Sequence, residues 1–469
     1  MKNLKKSLAL IAALALSATA LCSCGKEDTS KTSSTASNAD SSTATADSST
    51  TGGDTASDGD ALTILCWGAD DAQPMVDLFC SETGTDPSMI KLQNFACQGG
   101  QAAEKYDAYL ADATNDADIM FVEADWALRF INDDSVTAPL SDIGISEESF
   151  SDIYDYVLEI GKATEGSKAL KAVSWQAAAG GYCYREDLAE KYLGVKSPDE
   201  MQAKVADWDK FLATAEEVKT ASGDANTALA ATLGGVWQVY SGSRGNAWVD
   251  DSGKLVADDY CTDYINFAKT LWDKGYVTNV SQWQDEWLPL GTTDKVMGYF
   301  VSTWGFGDTI LTGAAGGEGG ETYGKWKCIV GPSEFYWGGT WLAPTTRCNN
   351  ADLAKQFIEF FTSNKETAKK YAITKGEYMS NKAVMEEIIT NKEYAGAGVL
   401  GDQNQFEVLN KVADGIDMAG KITPYDASIK TAFSDAVGAY CNGDNADVDA
   451  TMEDFKDRVA ASCPDVIID

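Results

Sequence analysis

The sequence predicts an α/β protein large enough for two lobes, and three observations carry that prediction. Short apolar runs alternate with segments whose apolar residues recur at helical spacing, the order that builds sheets covered by helices. Setting aside 23 N-terminal residues and a 37-residue linker leaves 469 − 60 = 409 residues, room for two cores at roughly 150 residues each. Hydrophobic residues make up 44% and charged residues 23%, ordinary values for a folded soluble chain.

LTILCW at 62–67 reads as a short buried strand. GADDAQP at 68–74 follows as a turn and cap, with Pro74 expected at the first helical position. Met75, Val76, Phe79 and Cys80 then recur at helical spacing until Gly84 stops them. A strand at 90–95, a helix carrying Tyr106, Tyr109 and Leu110, and a strand at 119–122 complete a β-α-β-α-β order. Beyond 172, extended segments at 173–176 and 181–184 lead to a short helix over 186–192, ended by Gly194. Trp208, Phe211, Leu212, Ala215 and Val218 mark one face of a helix capped between Asp207 and Gly223. DLAKQFIEFFTS at 352–363 is another amphipathic helix, and one around Phe455 and Val459 closes the chain.

Several chemistries are excluded by composition. There is no histidine, which removes His-based triads, His-ligated zinc and haem, and a histidine pH switch. Net charge is −35, or −38 once Lys2, Lys5 and Lys6 are set aside (34 basic against 72 acidic residues). A surface that acidic repels phosphate backbones, so no nucleic-acid partner is expected. The glycine-rich stretch at 313–324 lacks the Lys-Ser/Thr of a phosphate loop and reads as a surface connection. DNADVDATMED around Asp447 lacks the central Gly of a calcium loop and reads as helix capping. No metal and no cofactor is expected.

The N-terminus carries Lys2, Lys5 and Lys6 ahead of an uncharged run at 8–21, the pattern of a secretory signal and short for a membrane span. It ends in LCSCG, which resembles the lipobox of bacterial lipoproteins, with Leu21 at −3, Ser23 at −1 and Cys24 as the lipidated residue. Cys22 fits less well because bulky Leu21 would stand at its −1 position. Residues 25–60 hold nine Ser and eight Thr with no aromatic and no aliphatic larger than Ala, the composition of a disordered tether. The expected location is the outer face of the cell membrane, lipid-anchored. Nine further cysteines are odd in number and scattered without a CxxC pair; they read as buried thiols rather than a disulfide framework or zinc site.

Four stretches resemble the extracellular solute-binding proteins of bacterial ABC importers, the branch related to maltose-binding protein: LTILCWGADD; ADIMFVEADWALRFIN with APLSDIG; AVSWQAAAGGYCYREDLAEKYLG with WDKFLATAEEVK; and KVMGYFVSTWGFGD with WGGTWLAPTTRCNNADLAKQFIEFFTSNKETAKKYA. The resemblance covers 61–469. It implies a type II periplasmic-binding-protein-like fold with three hinge crossovers, lobe one at 61–172 and 338–392, and lobe two at 173–337 and 393–469. It also implies a ligand between the lobes, membrane permease subunits as partners and no enzymatic activity.

Sugar rings present flat C–H faces that pack on indole, and their hydroxyls need planar donors and acceptors. Of the 13 tryptophans several sit just past predicted strands. The candidate ligand-binding residues are Trp67, Asp70, Asp71, Glu123, Asp125, Trp126, Trp175, Gln176, Trp304, Trp337, Trp341 and Tyr378. Trp208 and Trp272 lie on helical stripes and belong to the core. Capture of a mono- or oligosaccharide is the leading reading. A polyamine or other cation boxed by indoles and neutralised by Asp70, Glu123 and Asp125 is the alternative. A glycosidase, which needs only two carboxylates, is a third reading, although no acidic pair is marked as a raised-pKa acid.

Overall fold

The computed structural model describes residues 61–97 and 99–468. Two five-stranded sheets organise the described chain. The first contains β1 (Leu62–Cys66), β2 (Ile90–Asn94), β3 (Ile119–Glu123), β4 (Val173–Ser174) and a late strand, β10 (Thr340–Pro344), in the order β2-β1-β3-β10-β4. β1 runs parallel to β2 and β3, whereas β10 lies antiparallel to both β3 and β4. β5 (Ala179–Arg185), β6 (Ala228–Ala230), β7 (Val296–Ser302), β8 (Trp326–Ile329) and β9 (Phe335–Tyr336) make the second, ordered β6-β7-β5-β8 with β9 pairing β5. Every residue of β1, β5, β7 and β8 is buried, the charged Arg185 and Lys327 among them.

The chain passes between the halves three times. β4 leads to β5, and β9 leads back to β10. The helix Lys382–Asn391 packs on Lys365–Lys375, which lies against Ala351–Thr362 of the first half, whereas the next helix, Gln405–Gly415, packs on β5, β8 and β9. This is the type II two-lobe arrangement. The lobe boundary drawn from sequence at 172/173 falls two residues early, because Val173 and Ser174 pair with Leu342 and Trp341 in the first sheet.

Two passages lie side by side at the hinge. Ala178 adopts φ 51 and Gly339 φ 94, and a Cβ on Gly339 would fall 2.8 Å from that of Ala178, so only glycine permits the approach. The hydroxyl of Ser302, the last residue of β7, lies 3.0 Å from the Ala178 carbonyl and 2.9 Å from the Trp337 carbonyl, fastening both passages to the second sheet.

The caps that sequence marks are present. Asp207 accepts from the Lys210 N–H at 2.8 Å to start the helix Trp208–Ser222, and Asp447 accepts from Ala450 at 2.9 Å to start Val448–Ser462. Pro74 is a correction. The helix begins at Ala69 and runs to Thr83 with the proline inside it. The turn before the proline carries Ala72, which is fully buried, so packing of that turn on the core compensates the one backbone hydrogen bond that proline removes. Among the described residues, no helix is long and apolar enough to cross a membrane, and no metal-ligating cluster occurs. Cys24 and the tether at 25–60 lie outside the described residues.

Candidate functional site

A cleft of ≈ 1600 Å³ opens between the halves, larger than the roughly 300–1,000 Å³ usual for small-molecule sites. Its walls are built where strands end. Trp67 follows β1, Glu123 ends β3, Trp126 opens the short helix Ala127–Ile131, and Trp175 with Gln176 follows β4. On the facing side, Trp304 sits in the turn after β7, and Trp337 follows β9. Strand ends are where a buried sheet hands its chain to loops, so residues there can line the crevice, although Trp126, Trp175 and Trp337 are themselves mostly buried.

The indoles form two groups. Trp67 meets Trp126 edge-on with centroids 5.7 Å apart. Opposite them, Trp304 packs edge-on against Trp337 at 5.0 Å and lies near-parallel to Trp283 at 6.3 Å. The Trp304 indole N–H donates to the Trp337 carbonyl at 2.9 Å, which fixes its plane. Trp283 is the member that sequence reading missed. It is 50% exposed, lines the cleft and holds φ 69, a backbone conformation rare for a large side chain. Trp287, Trp304 and Trp337 pack against the covered half of the indole, and the other half is exposed.

Polar groups interleave with the rings. Trp126 Nε1, Trp175 Nε1 and Thr303 Oγ1 are buried, belong to cleft-lining residues and have no hydrogen-bond partner among the described residues. Three such donors in one cleft are groups that a bound molecule can satisfy. Gln176 is committed to the framework: its Oε1 accepts from the Thr340 N–H at 2.9 Å and its Nε2 donates to Glu377 at 3.3 Å.

The cleft floor carries a charge cluster. Asp125 accepts from Lys430 Nζ at 3.0 Å, linking the end of β3 to the helix Asp426–Asn442. Although burial works against its charge, the oxygens of Asp125, Tyr336 and Asp426 hold Lys430 above the ordinary lysine value. Burial pushes the Asp426 carboxyl up to about 6, against the opposing pull of Lys430 and Thr423. Burial, with the Asp125 charge beside it, pushes Glu123 well above the usual carboxylate range, although it accepts the Asp125 N–H at 3.3 Å. A Cβ on Gly338 would lie 3.3 Å from Trp304 Nε1 and 3.5 Å from Glu123 Oε1, so this glycine seats the carboxyl beside the indole wall.

The structure therefore brings together Trp67, Glu123, Asp125, Trp126, Trp175, Gln176, Trp304 and Trp337 of the residues chosen from sequence. Trp341 and Tyr378 are corrections. Trp341 lies within β10 with no exposed surface and donates its indole N–H to the Val157 carbonyl at 2.8 Å. Tyr378 is equally buried, its hydroxyl 2.8 Å from that of Tyr154 and 2.9 Å from Asn410 Oδ1. Both are packing residues. Asp70 and Asp71 stand in the first turn of the helix Ala69–Thr83, and their side chains lie outside the described part of the structure.

Comparison with known proteins gives the same architecture. The family model for bacterial extracellular solute-binding proteins matches residues 75–396. No curated protein sequence matches the chain. Among solved structures, an extracellular solute-binding protein of family 1 superimposes with a TM-score of 0.73 at 16% identity, over 86% of this chain and 99% of that one. An ABC-transporter-associated binding protein from B. animalis subsp. lactis Bl-04, in complex with β-1,6-galactobiose, gives 0.66 at 16% identity, over 86% and 97%. The GacH receptor of Streptomyces glaucescens, solved unliganded and with acarbose, gives 0.65 at 16% identity, over 87% and 99%.

Proposed function

Because the chain belongs to the bacterial extracellular solute-binding proteins, we propose that its cleft captures an oligosaccharide and delivers it unchanged to the permease subunits of an ABC importer. The carrying observation is the two indole groups that line one cleft, with unpartnered buried donors on cleft-lining residues. Ring stacking supplies apolar contact without demanding charge, and Trp126, Trp175 and Thr303 supply donors for hydroxyl or ring oxygens. The cleft volume favours several rings over one. The sugar complexes of the B. animalis and S. glaucescens proteins support the same class of ligand.

The cationic alternative is weakened by Lys430. Asp125 already holds that ammonium at 3.0 Å, so a polyamine has to displace it to reach this carboxylate. No bond is made or broken in this reading: Glu123 and Asp125 act as hydrogen-bonding groups for sugar hydroxyls, not as an acid and nucleophile pair. In this reading Cys24 carries the lipid.

Thermal melting against a panel of neutral sugars, spermidine and a glycan tests the proposal. A ligand at 100 times its Kd adds about 2.7 kcal/mol of stability. A rise with one or more sugars and none with spermidine is expected. A rise with spermidine alone, weakening steeply with salt, replaces the sugar assignment, and release of reducing ends from the glycan replaces it with hydrolysis.

A further inference from the structure

Two cysteines stand directly opposite each other in the second sheet. β8 is its edge strand, and in the antiparallel pairing of β5 with β8 Cys183 faces Cys328. Hydrogen-bonded and non-hydrogen-bonded pairs alternate along such a ladder. The Glu186 N–H donates to the Lys325 carbonyl at 2.9 Å in the same register, three pairs away, which makes the cysteine pair non-hydrogen-bonded. The backbone of Cys328 agrees: it turns outward to one side chain, its N–H donating to Gln403 Oε1 at 2.6 Å and its carbonyl accepting from Gln403 Nε2 at 2.7 Å.

Non-hydrogen-bonded pairs hold their Cα atoms about 4.5 Å apart with side chains on one face, inside the roughly 4.4–6.8 Å that a disulfide spans. Burial, and after it the Cys328 thiol beside it, raises the Cys183 thiol well above its ordinary value. Both are free in this structure, and neither has any exposed surface. The family is exported from the cell, where disulfides persist.

We propose that Cys183 and Cys328 are a disulfide site, closed across β5 and β8 when the chain folds in the presence of a small-molecule or protein disulfide as oxidant. One cysteine, as thiolate, attacks the oxidant disulfide and expels one of its sulfurs as a thiol, leaving a mixed disulfide. The other cysteine then attacks the sulfur of the first and expels the second oxidant thiol. Two protein thiols and one disulfide become one protein disulfide and two thiols, with both protons carried off by the leaving groups. The sulfurs are sealed in the folded state, so the exchange takes place before β8 docks on β5. The bond pins the edge strand from which Gln403, just past the third passage between the lobes, hangs.

The test is to unfold and reduce the full chain, refold it with oxidised glutathione or with dithiothreitol, block free thiols and map the peptides by mass spectrometry. The expected result is a Cys183–Cys328 linked peptide after oxidative refolding only, with a melting temperature several degrees above that of the reduced chain. In Cys183→Ala the linked peptide and the temperature difference both disappear. Blocked free thiols at both positions after oxidative refolding, or either cysteine linked to a third, overturns the proposal.

Discussion

Lys430 reaches Asp125 across 305 residues of sequence with 3.0 Å between nitrogen and oxygen, and this ion pair joins the two lobes at the floor of the cleft. Its side chains are 19% and 32% exposed, so water screens the pair only in part. Removing the ammonium leaves Asp125 and Asp426 facing each other without a counter-charge. Lys430→Met is expected to lower stability by about 1–3 kcal/mol in denaturant unfolding, with Lys430→Arg closer to the parent. Equal stability of the Met variant and the parent contradicts the assignment.

Asp426 sets a pH dependence. Its carboxyl is raised from 3.8 to about 6 in the folded chain, so the folded state binds more protons than the unfolded state between those values. Its contribution is fully present below about pH 4 and is lost as pH rises through 6. Melting curves from pH 4.5 to 7.5 are therefore expected to show a smaller loss of stability, or a larger gain, in Asp426→Asn than in the parent. The difference is about 2 kcal/mol across the window. Identical pH profiles remove Asp426 from the account.

Trp283 separates binding from folding more cleanly than any other indole of the cleft. Half of it is exposed, so Trp283→Ala is expected to change the melting temperature little while weakening sugar binding by about 1–2 kcal/mol, roughly five- to thirty-fold. Trp175→Ala is less specific, since Trp175 is 3% exposed and packs on Phe121 with centroids 5.7 Å apart. There a stability loss of about 3–5 kcal/mol accompanies any loss of affinity.

Thr303 gives the opposite signature. Its hydroxyl is buried and unpartnered among the described residues. Thr303→Val removes an unsatisfied polar group at nearly constant volume, so the free protein is expected to be as stable or more stable. Affinity for sugar falls if that hydroxyl meets the ligand. A less stable variant with unaltered affinity contradicts this.

The fold was legible wherever local chemistry and tertiary packing agree. Asp207 and Gly223 bracket a helix in sequence and in the structure, and the continuous apolar runs became buried strands. Pro74 misled because the burial of Ala72 overrode a local start signal. The site was half legible: Trp67, Trp126, Trp175, Trp304 and Trp337 follow from standing at strand ends. WGGTW at 337–341 shows the limit. Three residues separate its two tryptophans, yet one lines the cleft and the other is enclosed by β3, β4 and Val157. Which side of a strand faces the core is set by partners distant in sequence. Trp283 and Lys430 were missed for the same reason. One is displayed by an irregular loop, and the other is defined by a partner on the opposite lobe.

The central claim, that the two indole walls grip a neutral sugar, is tested most directly by calorimetric titration of neutral di- and trisaccharides into the parent and Trp283→Ala. Saturable binding to the parent, insensitive to salt and weakened about ten-fold in the variant at unchanged melting temperature, is the predicted result. Parent and variant binding a saccharide equally well, or heat evolved only with a polyamine, would contradict it.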